Sequence, residues 1–490
     1  MDYISNYVRE QRRYTKSELR GLFSFSEAEV EEFIRLLKSY GILKPVRATA
    51  QQLDLTDLVD DDVVITDETI ADGECFYVFT YVGVLTVKNR IVKCYPKYIS
   101  SETDMDWKMK QVLKVLQRYG SRYQIVNLYN GDGQTSSFNL LAVMLYLLED
   151  YHQYGPYTNT EDIIEHNGEG PILWEQTISS GFSIISNNRP YYVDFFTHRT
   201  IDDDMDYFHR LHRSIVTECS RQLSEAGILY LFDILEADVS EEDVTSFGET
   251  DYVLYRLQAE LDGQYNTRKQ SLLKTMYSYL ANRRLLSQNG GISMFGTTSF
   301  NLVWERVCAE VFQNKLNTQL RHLQLRNGLA QGFVPTATLL EIIGKPKWSG
   351  TNPEGISFTK EAPDTLTPDL VNIYNTEDGE MFVIFDAKYY CIQLESDRPL
   401  RGQPGVGDVT KQYLYQLAYK QFTEAHHIPH IRNCFLMPTD AADVVCLGAA
   451  SMDILDALHL RQIQVRLIPA TIMYDRYLSR RSLGIDYLQL

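Results

Sequence analysis

The sequence predicts an α+β multidomain chain: an N-terminal winged-helix-like module, a small β segment, a mostly helical middle and a C-terminal mixed α/β domain. Three observations predict it. At 490 residues the chain is too long for one compact domain. Helix-like and strand-like apolar patterns both occur along it. The Gly-, Ser- and Thr-rich stretch GGISMFGTTS, residues 290–299, is its clearest break. The expected divisions are 1–48 for the winged-helix-like module, 60–130 for a β-rich region, 131–290 for the helical middle and 296–490 for the last domain.

Thr15-Lys-Ser-Glu18 and Ser26-Glu-Ala-Glu29 are capping boxes, each opening a short amphipathic helix. In the second helix Val30, Phe33, Ile34 and Leu37 form one stripe, closed by Gly41. ILKPV after it reads as a wing strand. Three small helices and a strand resemble a winged helix-turn-helix. The helix that would read DNA, however, carries Glu27, Glu29, Glu31 and Glu32. Glutamates repel phosphate, so packing or assembly suits this module better. An acidic linker covers about 50–72. FYVFTYVGVLTVKNRIVKCYPKYI (76–99) alternates and turns at Lys88-Asn89, a β-hairpin pattern. Residues 104–125, 137–153, about 203–225 and 252–287 read as helices.

In the last domain, SFNLVWERVCAEVFQNKL (299–316) reads as an amphipathic helix with Glu305 on its polar side, and GDVTKQYLYQLAYKQF (407–422) as another. NCFLMP (433–438) and IQVRLIPA (463–470) complete a mixed sheet. The closing helix TIMYDRYLSRRS offers Arg476, Arg480 and Arg481, as phosphate contacts or as a basic turn matched to the helix dipole.

The composition is that of a globular protein, 44% hydrophobic and 23% charged. No apolar run reaches the ~18 residues of a membrane span; LLAVMLYLL (140–148) reads as a buried helix. The N-terminus lacks an apolar signal-peptide core. The seven cysteines show no CxxC and no close pairing, which predicts free thiols and a cytoplasmic protein. The net charge of −18 argues against a sticky nucleic-acid binder. Most of the acidic excess lies before residue 300, in runs such as IDDDMD (201–206) and DVSEEDV (238–244). Those runs are solvated loops or faces that meet a protein partner.

The chemistry concentrates in PDLVNIYNTEDGEMFVIFDAK, residues 368–388. Asp378-Gly379 is a strong hairpin signal. A two-residue loop there sets Glu377 against Glu380 and Asp369 against Lys388, with Asp386 a diagonal neighbour of Asp369 about 7–8 Å away. Val371 and Ile373 then share a face with Phe382 and Ile384, and Leu370 and Tyr374 share the other with Val383 and Phe385. With both faces apolar, this is an interior hairpin. Charges at its end are costly unless a metal or counter-ion is present. Asp369 and Asp386 suit Mg²⁺, with Mn²⁺ as a substitute: a hard cation takes oxygen ligands and keeps several waters. Such a metal activates a phosphodiester and a water, while Lys388 orients that water and meets charge building on phosphorus. The pattern Pro-Asp…Asp-x-Lys is that of the PD-(D/E)xK nuclease fold. The alternative is a plain Asp369–Lys388 salt bridge with Asp386 in a turn. Glu305 offers a third metal ligand or an ordinary surface charge. Lys411, Gln412 and Tyr415 recur at helical spacing and reach toward substrate phosphate or the metal-bound water, while Gln416 and Tyr419 pack. His426, His427 and His430 lack a spaced partner and read as surface residues. GDGQTSS (131–137) lacks the GK[ST] ending of a P-loop.

FNLVWERVCAEVF, PDLV…FDAKYY and DVTKQYLYQLAY resemble the LlaJI family of restriction endonuclease subunits, themselves similar to the McrC nuclease subunit of McrBC systems. NGEGPILWEQTI and NNRPYYVDFFT (167–197) look like the same family. The resemblance spans roughly 165–425. It implies a subunit that cuts double-stranded DNA in bacterial antiviral defence, beside a separate McrB-like AAA+ GTPase hexamer, with Asp369, Asp386 and Lys388 catalytic. It also implies that the N-terminal half docks into the motor's pore, with 76–99 and its Lys88, Arg90 and Lys93 as the docking part. A non-cutting adaptor of an AAA+ machine is the competing expectation.

Overall fold

The structure, a computed structural model, describes residues 4–47, 75–87, 90–120, 140–202, 205–282 and 292–490. It is mixed α/β, and its described residues fall into two compact units. The larger draws on 4–85, 91–136 and 296–490; the smaller draws on 86–90 and 137–295.

The larger unit begins with strands β1 (Ile4–Arg9) and β2 (Arg13–Tyr14), helices α1 (Lys16–Leu22) and α2 (Glu27–Ser39), and strand β3 (Leu43–Arg47). Both capping boxes form, at Thr15/Glu18 and Ser26/Glu29. Among the described residues of 4–47 only these two helices form, and residues 4–9 are strand because β1 finds a partner far along the chain. β4 (Cys75–Phe79) lies between β2 and β3, whereas β5 (Val82–Val87) and β6 (Arg90–Tyr95) join β1 in another sheet. The expected hairpin at 76–99 is therefore shared between two sheets, and its Lys88-Asn89 turn lies outside the described residues. On α2 the glutamates meet bases of α1: Lys16 is 2.8 Å from Glu27 and 3.0 Å from Glu31, and Arg20 is 3.1 Å from Glu27. α3 (Met105–Gly120) follows.

The smaller unit holds α4 (Leu140–Tyr154), the buried helix expected from LLAVMLYLL, then β7 (Thr160–His166), α5 (Trp174–Ser180), the hairpin β8 (Ser183–Ser186)–β9 (Arg189–Tyr192), and β10 (Phe196–Asp202), antiparallel to β7. The middle region thus contains four strands where mostly helix was expected. α6 (Tyr207–Glu225), α7 (Leu229–Phe232), α8 (Thr250–Gly263) and α9 (Thr267–Asn282) complete it. The single helix expected at 252–287 is two, because Asn266 caps a new start by accepting the Lys269 N–H at 3.2 Å. β11 (Ile292–Thr297) carries the boundary between the units.

The larger unit resumes with α10 (Phe300–Val311), α11 (Leu339–Ile342), the exposed hairpin β12 (Lys347–Thr351)–β13 (Ser357–Glu361), β14 (Leu370–Thr376), β15 (Gly379–Ala387), α12 (Val406–Ala425), β16 (His430–Thr439), β17 (Val445–Ala450), β18 (Ile463–Pro469) and α13 (Ala470–Leu478). Five strands form one mixed sheet in the order β14-β15-β16-β18-β17. β15, β16 and β18 run parallel, with β14 and β17 antiparallel at the edges. Both sheet faces are covered. Val371, Phe382 and Ile384 pack with Tyr415, Tyr419 and Phe422 of α12; on the other side Phe385 meets Phe312, just past α10, with ring centroids 5.7 Å apart.

The β14–β15 register differs from the one expected. Thr376 pairs with Gly379 and Leu370 with Phe385, so the loop is Glu377-Asp378. Asp378-Gly379 as a two-residue loop needs positive φ at Asp378 as well. Only Gly379 has it, at +133°, and glycine serves as the first strand residue instead. The slip is by two residues, so every side chain keeps its face. A Cβ on Gly379 would lie 2.9 Å from Pro429 Cγ. Gly379→Ala is expected to destabilise the larger unit by roughly 1–3 kcal/mol, read as a lower urea midpoint at unchanged slope.

Candidate functional site

The corrected register changes the geometry of the two aspartates. One step beyond the last paired residues, Leu370 and Phe385, Asp369 stands directly opposite Asp386, not diagonal to it and not opposite Lys388. Asp369 Oδ2 accepts the Ala387 N–H at 2.9 Å. Its own carbonyl accepts from Asn314 Nδ2 at 2.8 Å, and Asn314 Oδ1 accepts the Val371 N–H at 3.1 Å, which fixes the entry of β14. Asp386 and Lys388 lie on the same side of the pleat. Lys388 Nζ is 3.2 Å from Asp386 Oδ1 and 2.8 Å from Asp408 Oδ1. Asp408 sits in the first turn of α12, where Oδ2 also accepts the Gly405 N–H at 3.2 Å. One carboxylate thus caps a helix and anchors the lysine.

The electrostatics follow from burial. Asp386 is 5% exposed. Burial first, then the hydrogen bond and charge of Asp369, push its carboxyl up to about 8, against the pull of Lys388. Asp369 is also raised, by burial and then by Glu305, although its hydrogen bonds with Asp386 and Ala387 oppose this. Glu305, half-buried on α10, is raised by burial and then by Asp386, which places its charge within reach of the pair. Burial pulls the Lys388 ammonium down, but Asp386 and Asp408 together lift it above the ordinary lysine value. The lysine is cationic, and the aspartates compete for a proton.

This donor set fits a hard divalent cation. Asp386 Oδ1 is buried and has no donor in hydrogen-bond geometry, the nearby Lys388 included. The Lys388 ammonium 3.2 Å away is its counter-charge, and the oxygen keeps lone pairs that a cation could use. Among the described residues, no group of three or more His, Cys, Asp or Glu side chains is placed to hold an ion. Asp369 and Asp386 form a facing pair of carboxylates, and Glu305 is near enough for Asp386 to raise it. Two carboxylates plus waters is a normal supply for Mg²⁺.

The other expected residues separate. Lys411 is exposed on α12. Gln412 is fully buried, with both amide atoms unpartnered. Tyr415 is buried and gives its hydroxyl to the Thr367 carbonyl at 2.9 Å. Gln416 clasps the Arg461 backbone, and Tyr419 donates to the Leu339 carbonyl, so both pack as expected. Arg90 and Lys93 are only 8% and 9% exposed, and Lys93 Nζ lies 5.1 Å from the Tyr7 ring centre. Neither is presented to a partner, and Lys88 lies outside the described residues. His426 is not a surface histidine: it is buried, donating from Nδ1 to the Phe422 carbonyl and accepting the Ala330 N–H. Sequence reasoning missed Asp408 as the lysine's partner. The signal was an acid three residues after Gly405 at a helix start; that predicts a cap but not its second role.

A family model described as LlaJI restriction endonuclease matches residues 81–327 and 336–472. The chain belongs to the LlaJI restriction endonuclease family. It is 26% identical over 419 residues to the Type II restriction enzyme BsuMI component YdjA of Bacillus subtilis (strain 168), covering 84% of this chain and 83% of that one. Two solved assemblies also compare. One is a half-complex of Thermococcus gammatolerans McrB AAA+ hexamers with bound McrC: 13% identity, TM-score 0.37, covering 97% of this chain and 99% of that one. The other is the McrBC complex of the same organism: 12% identity, TM-score 0.25, covering 62% and 85%. Among the described residues, no helix is long and apolar enough to cross a membrane.

Proposed function

We propose that this chain is the DNA-cutting subunit of a restriction system, a Mg²⁺-dependent endonuclease of PD-(D/E)xK type acting in the cytoplasm beside a McrB-like AAA+ GTPase. One juxtaposition supports this above all: Asp369 opposite Asp386, with Lys388 between Asp386 and Asp408, at the end of an interior hairpin. Asp369 and Asp386 would hold the metal, with Glu305 as a further carboxylate. When bound there, Mg²⁺ supplies Lewis-acid polarisation of a phosphodiester and a water of lowered pKa. The remaining work belongs to the chain. The Ala387 N–H fixes the Asp369 carboxylate. Lys388, cationic and pre-aimed by Asp408, orients the attacking water and meets charge as it develops on the phosphate. Lys411 is an exposed base on α12 that suits the DNA backbone. The motor is inferred from the McrC resemblance of the sequence, together with the missing P-loop.

The test is cleavage of supercoiled plasmid by purified protein, with and without a McrB-like AAA+ GTPase from the same genome. Linear or nicked product with Mg²⁺ or Mn²⁺, abolished by EDTA, is expected. No product with a confirmed, GTP-hydrolysing motor would instead establish the non-cutting adaptor.

A further inference from the structure

Resting on the nuclease reading, we propose that Glu10 is a positioning residue for Lys388, acting through Tyr389, so that the N-terminal strand is a built part of the cleavage site.

Glu10 directly follows β1, far from the site in sequence. It is 6% exposed, a buried carboxylate that contributes nothing to the metal pair. Its Oε2 accepts the Tyr389 hydroxyl and, at 3.1 Å, the backbone N–H of Lys97. Tyr389 follows Lys388 directly. Burial, then the charge of Glu10, hold its phenol well above the ordinary value, so it stays protonated and donates. The ring is packed on several sides. Phe300 of α10 lies 5.3 Å away and Tyr98 6.3 Å away between centroids, and the Lys97 ammonium sits 4.9 Å from the ring centre.

Lys388 is thus gripped at three points. Its N–H donates to the Leu436 carbonyl at 3.0 Å, its ammonium is aimed by Asp408, and its C-terminal neighbour is tied to Glu10. β15 ends at Ala387, so beyond the Leu436 bond no ladder holds the chain here. The Glu10–Tyr389 hydrogen bond takes over where the sheet stops. A lysine displaced by about 1 Å would lose much of its effect on the reacting phosphate.

The test uses the full chain and a readout that does not depend on cutting. Reductive methylation with ¹³C-formaldehyde turns lysines into dimethyl-lysines, and the resonance lost in Lys388→Arg assigns Lys388. In Glu10→Ala and Tyr389→Phe that resonance is expected to shift. In Glu10→Gln, whose amide oxygen still accepts both hydrogen bonds, it keeps its wild-type position. Plasmid cleavage should follow the same division, with kcat down about ten- to a hundredfold in the first two variants and KM for DNA unchanged. Should Glu10→Ala not fold, Tyr389→Phe decides, since it removes one oxygen and keeps the ring. A resonance unmoved in the folded variants overturns the proposal, as does an equal shift in Glu10→Gln. Wild-type protein that never cuts DNA sinks the nuclease reading alone, because the resonance comparison does not use cutting.

Discussion

Asp386→Asn is expected to leave a folded protein whose metal-dependent DNA cleavage falls by at least about 10³-fold, the scale on which loss of a preorganised electrostatic contact is felt. The substitution removes one of two facing carboxylates and leaves the shape unchanged. It should also change the pH dependence of stability. In the native protein without metal, Asp386 holds its proton up to about 8, whereas in the unfolded chain an aspartate ionises at ~3.9. Between those values the native state binds more protons, so stability falls as pH rises through the window and is fullest below it. Asp369 and Glu305, also raised, act in the same direction. The wild-type thermal midpoint in EDTA should therefore drop from about pH 5 to about pH 8. Excess Mg²⁺ should restore it by binding the native state alone. Asp386→Asn should flatten the curve and be the more stable protein at pH 8 in EDTA. A wild-type midpoint that ignores both pH and Mg²⁺ across this window would refute the reading of these carboxylates as a metal pair.

That site was half legible in the sequence. The residues Asp369, Asp386 and Lys388 stand out from a hairpin pattern, and local chemistry suffices for that, because turn residues and period-two alternation are encoded within about twenty positions. The expected register was wrong because Asp-Gly fits two turns, and the choice is made by which residue carries the positive φ. An error of two residues preserved both faces and changed only which group stands opposite Asp369. Long-range partners were not legible at all. Nothing in ISNYVRE announces that Glu10 ends against Tyr389, nor that β1 pairs with β6. Of the winged-helix pattern, the two capped helices and the strand after them form and a third helix does not, for the same reason: residues 4–9 take the conformation their sheet partner requires. Gln412 and Tyr415 shared the right helix but faced the core, a distinction that spacing cannot make when both sides of a helix are apolar or aromatic.

Trp304→Ala is expected to lower the stability of the larger unit by roughly 3–5 kcal/mol, more than any other substitution proposed above. The chain has four tryptophans, and sequence alone ranks them equally. The structure does not: Trp107, Trp174 and Trp348 are 48%, 54% and 71% exposed, while Trp304 is fully buried. Its indole fixes α10 to two other elements. Nε1–H donates to the Leu436 carbonyl of β16 at 3.0 Å, and the ring meets Tyr474 of α13 edge-on at 6.4 Å. Leu436 is also the residue whose carbonyl accepts the Lys388 N–H, and Trp304 is the neighbour of Glu305. Removing the indole therefore leaves a cavity beneath the site and frees the helix that brings Glu305 to it. Trp304→Phe should cost less, because it keeps most of the volume and the Leu436 carbonyl still has the Lys388 donor. Trp348→Ala, on the exposed hairpin, should lie within about 0.5 kcal/mol of wild type. Urea unfolding of the three variants measures all of this. If Trp304→Ala and Trp348→Ala proved equally harmless, α10 would not be seated on the sheet as described, and neither Glu305 nor the cavity argument would survive.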